Sequence, residues 1–242
     1  MENANFFKTP TWYSMLASRT FPTTFVKLHP DAVKALADGI ESDENSESPV
    51  NTAINDLKGA MSFVFGNSFV FADCCAPTDT ERFLNKNGAV YSAESAWRNL
   101  ASSVKVRACA AANEIEYLCI RPFRRMNRTR EFRLFIYEGK LSAMSQYHLI
   151  RHFRRLEGVK DNYWQLAEKF VQDIIWMLPV KTFVMDVYFT SENEILVIDL
   201  NPWGEPTDPL MLNTWERDWE KVSGIVLMPP PIKVSGDVNI SF

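Results

Sequence analysis

Long apolar runs are missing from this chain of 242 residues. No stretch of about 18 apolar residues occurs, so nothing reads as a membrane-spanning helix. No basic segment followed by an apolar core opens it either, and the expected location is the cytoplasm, or wherever an unseen route delivers it. Cysteine is sparse. Cys74, Cys75, Cys109 and Cys119 are too few and too irregular for a disulfide framework or a paired CxxC zinc site, and read as reduced, mostly buried thiols. With no partnering histidine close in sequence, the adjacent Cys74 and Cys75 do not read as a redox pair or a nucleophile. Of the three histidines, His148 and His152 are four apart and could share a helical face, but a zinc site needs a third ligand. They read as surface or pocket-rim residues. An excess of positive charge is also missing: the formal net charge is −4, which argues against a dedicated nucleic-acid or membrane-surface binder.

What is present is apolar and aromatic side chain in quantity. At 46% hydrophobic and 13% aromatic, the chain can bury a large core, as one domain or two packed lobes. Residues 1–28 mix aromatics with Pro10 and Pro22 and suit strands or loops. After His29-Pro30-Asp31 a short helical pattern runs through Val33, Leu36 and Ile40. The run ESDENSES at 41–48 has no apolar residue to bury and reads as a mobile surface loop. Residues 49–57 look helical, and 63–74 look like two short strands about Gly66-Asn67, or one bent strand. Ser92 is a candidate N-cap for a helix over 92–102.

From Ile115 the chain turns β-rich. YLCIRPF is a strand closed by Pro122, and REFRLFIY and KLSAMSQ form a hairpin about Glu138-Gly139. Residues 162–178 place Ala167, Phe170, Val171, Ile174, Ile175 and Leu178 at helical spacing, giving a helix that covers a sheet. A second hairpin joins TFVMDVYF to ILVIDLN. The tail from Trp215 reads as a short helical piece followed by an extended strap. The architecture predicted is α+β, a mainly antiparallel sheet flanked by helices.

The second hairpin carries the chemistry. If it pairs symmetrically about the Glu192-Asn193 bond, Asp186 faces Asp199, and Asn201 projects from the same face. Two opposed carboxylates repel unless a cation joins them, and magnesium prefers one or two carboxylates completed by phosphate and water. Asp186, Asp199 and Asn201 are therefore the candidate metal ligands. Glu205 and Asp208, in the turn that follows, either brace that turn or orient the ligands. The dense arginines from Arg121 to Arg133 invite an RNA-binding reading, but without an RNA-binding motif the middle of the run reads as a solvated loop.

Residues 183–216, FVMDVYFTSENEILVIDLNPWGEPTDPLMLNTWE, closely resemble the hallmark stretch of the cell-division-cycle protein 123 family. The likeness extends to REFRLFIYEGKLSAMSQ (130–146), CAPTD (75–79) and TWYSML (11–16). It implies an ATP-grasp-like fold spanning 1–242, with lobes of about 1–112 and 113–242. It also implies an ATP- and magnesium-binding chaperone that assembles translation initiation factor two through its gamma subunit. Carried over by position, Ala76 and Asp79 match the nucleotide-contacting turn. Arg121 and Arg133 match cations of the pocket, and Asp186, Asp199 and Asn201 match its metal and phosphate end. Three cations of the family pattern are replaced here: Val70-Phe71-Ala72 and Cys74 stand where one lysine is expected, Pro122 where another is, and Thr78 where an arginine is. Each removes a charge-assisted bond to phosphate worth about 1.5–3 kcal/mol. Lys105, Arg107 and Arg124 are the candidates to replace them. Two other readings share this sequence: an ATP-dependent carboxylate-amine ligase, and a scaffold that retains only a protein-binding surface.

Overall fold

The computed structural model describes residues 6–231. By internal contacts the chain divides into two units, Met1–Met126 with Leu196–Leu200, and Asn127–Ile195 with Asn201–Phe242. The division falls after the strand that carries Arg121, later in the chain than 112, and the Asp199 segment returns to the first unit.

The first unit is built on a three-stranded antiparallel sheet. Strand β3 (Tyr117–Pro122) lies between β1 (Thr24–Lys27) and β2 (Ser68–Ala72). Apart from the short α4 (Glu81–Lys86), helices α2 (Pro30–Ala37), α3 (Pro49–Met61), α5 (Ala93–Ala101) and α6 (Val104–Ala111) bury Leu36, Leu57, Trp97, Leu100 and Val106 with Val70, Leu118 and Ile120. Serines start three of these helices: Ser48, Ser92 and Ser103 each accept a bond from a backbone N–H of the first turn. Ser92 forms a full capping box with Ser95.

Several local expectations need correction. Residues 9–16 form a helix, α1 (Thr9–Leu16), with Pro10 in its first turn where a missing N–H costs nothing. Of 63–74 only β2 is strand. The acidic run at 41–48 is exposed as far as Glu47 but tied down. Asn45 N donates to Asp43 Oδ1 at 2.9 Å, and Asn51 Nδ2 donates to the carbonyls of Asp43 and Asn45 at 2.9 and 2.8 Å. Short polar side chains that bond the nearby backbone supply order here without a core.

The second unit holds β4 (Glu131–Tyr137), β5 (Lys140–Gln146), β6 (Phe183–Phe189) and β8 (Gly224–Val226) in a sheet of order β7-β6-β4-β5-β8, where β7 is Ile195–Asn201. All the pairs given a register within this unit are antiparallel except β5 with β8. The β4–β5 hairpin turns on Glu138 and Gly139, both at positive φ (50° and 77°), the requirement of a tight two-residue turn. Helix α8 (Lys160–Ile174) covers one face, where Tyr163 stacks on Phe189 at 4.3 Å and meets Phe132 edge-on. On the other face Phe135 packs against Trp203, Trp215 and Trp219. The tail after Trp215 forms no helix among the described residues. It runs as turns into β8, and its residues from 232 onward lie outside the described part. Nor do His148 and His152 share a helix: they lie in the loop before α7 (Arg154–Glu157). No helix among the described residues is long and apolar enough to cross a membrane.

Candidate functional site

Arg121 sits on β3 with its side chain almost wholly buried, 5% exposed. Its Nε donates to Thr23 Oγ1 at 3.0 Å and its Nη1 to the carbonyl of Ile198 at 2.9 Å. Nη2 is buried with no hydrogen-bond partner among the described residues. The guanidinium lies over the Phe71 ring at 4.7 Å and near Phe21 at 5.9 Å. Phe71, standing where a lysine is expected, thus replaces a second cation by a surface that holds the first in place. Burial pushes the Arg121 pKa down, and the carboxylate of Asp199 opposes that push. A guanidinium keeps its proton even so. What results is a desolvated positive charge with a donor to spare, and an anion is the group that would satisfy it.

The turn at 76–79 approaches α6. Ala76 is half-buried, and its carbonyl accepts from Thr78 N at 2.8 Å. Asp79 is already engaged: Ser103 Oγ donates to its Oδ1 at 2.6 Å and Lys105 N to its Oδ2 at 3.2 Å. Although burial raises its pKa, these bonds win, and the carboxyl is held below its ordinary value. Asp79 therefore anchors the start of α6, where the helix N-terminus favours negative charge. Lys105 brings a positive charge to this turn, its Nζ donating to Thr78 Oγ1 at 3.0 Å.

In the second unit the register of β4 with β6 places Arg133 directly opposite Asp186. Both are buried, at 7% and 4% exposed. Arg133 Nε and Nη2 donate to the two oxygens of Asp186, each at 2.8 Å, and Nη1 donates to the carbonyl of Asp208 at 2.7 Å. Asn201 Nδ2 adds a bond to Asp186 Oδ2 at 3.2 Å. The residue that neutralises Asp186 is thus a cross-strand arginine, a pairing that opposite charges on facing strands favour. A carboxylate offers about four acceptor directions. Three are taken, which leaves about one for a metal.

The sequence reading of the hairpin needs a further correction. Thr190 N donates to the carbonyl of Glu194 at 2.8 Å with Asn193 at φ 63°, so the loop is the three residues 191–193 and not a turn centred on the Glu192-Asn193 bond. Along β7, Ile195 and Val197 are buried and the next buried residue is Leu200, so the alternation slips once at Ile198-Asp199. With that slip Asn201 reaches Asp186. Asp199 Oδ1 accepts from Leu200 N at 3.0 Å, and Asp199 contributes to the first unit beside Arg121.

Asp208 both braces its turn and supports the Asp186 group. Its carboxylate accepts from Leu210 N at 2.8 Å while its carbonyl holds Arg133. Glu205 is exposed. In the arginine run, Arg124, Arg125 and Arg128 are exposed, as a solvated loop requires.

The three thiols Cys74, Cys75 and Cys109 were not grouped from the sequence, yet their sulfurs all lie within 4.8 Å of one another. No spacing rule links residues that far apart; only the fold, which brings Cys109 of α6 to the turn after β2, joins them. Cys119 is separately buried on β3.

These features define an α+β protein with two buried arginine–carboxylate groups, one in each unit. The model of the family described as D123 matches residues 92–222, more than half of the chain, and the chain belongs to that family. Among curated proteins, cell division cycle protein 123 of Candida glabrata is 36% identical over 102 residues, 41% of this chain and 28% of that protein. A translation initiation factor eIF2 assembly protein of Kluyveromyces lactis is 37% identical over 100 residues, 40% of this chain and 26% of that protein. The matched part is thus little more than a quarter of the length of these relatives. The structure of Cdc123 from Schizosaccharomyces pombe superimposes with a TM-score of 0.79 at 21% identity, covering 94% of this chain and 97% of that one. That likeness establishes the shared fold.

Proposed function

We propose that this chain is a nucleotide-binding assembly factor that takes ATP with magnesium and acts on the heterotrimeric translation initiation factor two. The observation that carries the nucleotide part is Arg121, a buried guanidinium whose Nη2 has no hydrogen-bond partner among the described residues. Its Nη2 would donate to a phosphate oxygen, a charge-assisted bond of about 1.5–3 kcal/mol. Lys105 adds a positive charge at the 76–79 turn, where the family resemblance places nucleotide contact. Asp199, beside Arg121 in the first unit, is a hard oxygen group that would hold magnesium, Asp186 and Asn201 offer oxygens of the same kind in the second unit, and the ion's part when bound is to shield phosphate charge. Arg133 fixes the orientation of Asp186 and so acts as a positioning residue.

The assembly part rests on family membership and on the role in the names of the relatives. The gamma subunit is the partner implied by the resemblance, and the cytoplasm is where that partner would be met. The residues favour binding over ligase chemistry: with Phe71, Pro122 and Thr78 in place of cations, little positive charge is left for an acyl-phosphate transition state. Calorimetry with ATP and magnesium tests the reading. Binding by the native chain that falls at least about tenfold in Arg121→Met is expected; no binding at millimolar nucleotide would overturn it.

A second reading is favoured by one observation, that Arg133 and Asp186 already satisfy each other. In it the fold is a nucleotide-free scaffold for the same partner. Capture of the gamma subunit that needs neither ATP nor Asp199 would establish this alternative.

A further inference from the structure

We propose that Cys74, Cys75 and Cys109 form a three-thiolate site for a thiophilic metal ion, with zinc(II) the expected occupant. The sulfurs lie mutually within 4.8 Å, and Cys74 Sγ is 3.9 Å from Cys75 Sγ. Zinc–sulfur bonds of about 2.3 Å set neighbouring sulfurs about 3.8 Å apart in a tetrahedron and about 4.0 Å apart in a trigonal plane. The Cys74–Cys75 separation falls between these two values. A disulfide would bring two sulfurs to about 2.05 Å, and all four cysteines are free thiols.

The donors are held by backbone on both sides. Cys74 and Cys75 lie in a tight turn closed by paired bonds between Ala72 and Cys75, at 3.0 and 3.1 Å. Asp73 locks that turn: its backbone N–H donates to the Tyr117 carbonyl at 3.0 Å, and its carboxylate accepts from the N–H groups of Glu116 and Tyr117. Cys109 projects from α6, whose start is anchored by Asp79. A site whose ligands come from a locked turn and a packed helix loses little entropy on binding.

Thiolate is the form that binds metal, so a metal ion would take the place of the thiol protons of Cys74, Cys75 and Cys109, which pass to solvent on binding. Soft thiolates select zinc and copper(I) among common ions. A water in the fourth position would complete four-coordinate zinc, whereas copper(I) is content with three thiolates.

The site is independent of nucleotide and is tested without it. The reduced full chain is titrated with cobalt(II) as a spectroscopic stand-in for zinc. One equivalent should give intense thiolate-to-metal charge transfer and tetrahedral d–d bands, both lost when zinc is added. Cys109→Ser should weaken cobalt binding by at least about tenfold, a loss no smaller than outer-ligand changes cause, whereas Cys119→Ser should leave it unchanged. Because a serine variant can fail by unfolding, the wild-type chain supplies a second readout. Zinc should protect Cys74, Cys75 and Cys109 together from alkylation, mapped by peptide mass. Absence of charge transfer at one equivalent, or protection that omits Cys109, overturns the proposal; a copper(I) complex with the same three protected thiols but no zinc or cobalt binding overturns the choice of zinc.

Discussion

Two arginines on neighbouring segments, Arg121 and Arg133, are both buried, and they are used in opposite ways. Arg133 spends its donors on its own unit: two bonds go to Asp186 and one to Asp208. Arg121, in a nest made by Phe71, Thr23 and the Ile198 carbonyl, has an Nη2 with no partner among the described residues. A saturated buried ion pair contributes structure, and removing one partner leaves the other charge stranded. An unsaturated buried cation costs stability until a ligand arrives. The difference separates a group that shapes the fold from one that, on the proposed function, would receive an anion.

The largest effect should therefore come from breaking the saturated pair. Arg133→Met leaves Asp186 buried and unpaired, and denaturant unfolding should show a loss of about 3–5 kcal/mol. The double change Arg133→Met with Asp186→Leu should recover much of it, which a double-mutant cycle reads directly. Arg121→Met should behave in the opposite sense. It removes a charge that the fold solvates poorly, so unfolding should shift by no more than about 1 kcal/mol in either direction, while phosphate-bearing ligands lose affinity by about 10-fold or more.

Smaller effects should come from the carboxylates of the first unit. Asp79→Ala removes the acceptor at the start of α6 and should cost about 1 kcal/mol, on the scale of a lost helix cap. Its pKa is lowered in the folded chain, so its contribution is complete above the ordinary value of 3.8 and fades as pH falls through the lower folded value. Asp73 has the opposite sign. Burial raises it from 3.8 to about 6, against the bonds from Glu116 and Tyr117. The folded chain therefore binds a proton that the unfolded chain does not between about 6 and 3.8, and this group's contribution to stability should grow as pH falls through that window. Unfolding curves for Asp73→Asn should lose that rise.

The same contrast explains what could be read from residues alone. The hairpin turn at Glu138-Gly139, the helix stripe through Ala167 and Ile174, and the serine cap at Ser92 are local patterns, and patterns of that kind survive into the structure. The acidic and cationic residues of the candidate site were also visible as types. Their partners were not. Arg133 meets Asp186 through the β4–β6 register, across 53 residues of sequence that no local rule spans. Cys109 meets Cys74 and Cys75 for the same reason, through helix packing. The β6–β7 turn failed at a finer scale: a left-handed Asn193 makes the loop three residues long, and one residue decides which face a strand side chain takes.

The direct test of the contrast is calorimetry of ATP with magnesium on the native chain, Arg121→Met and the Arg133→Met, Asp186→Leu double variant, each first shown to be folded. The account predicts binding by the native chain and a loss of at least about tenfold for Arg121→Met, at nearly unchanged stability. Equal binding by the native chain and Arg121→Met, or no binding by either at millimolar nucleotide, would contradict it.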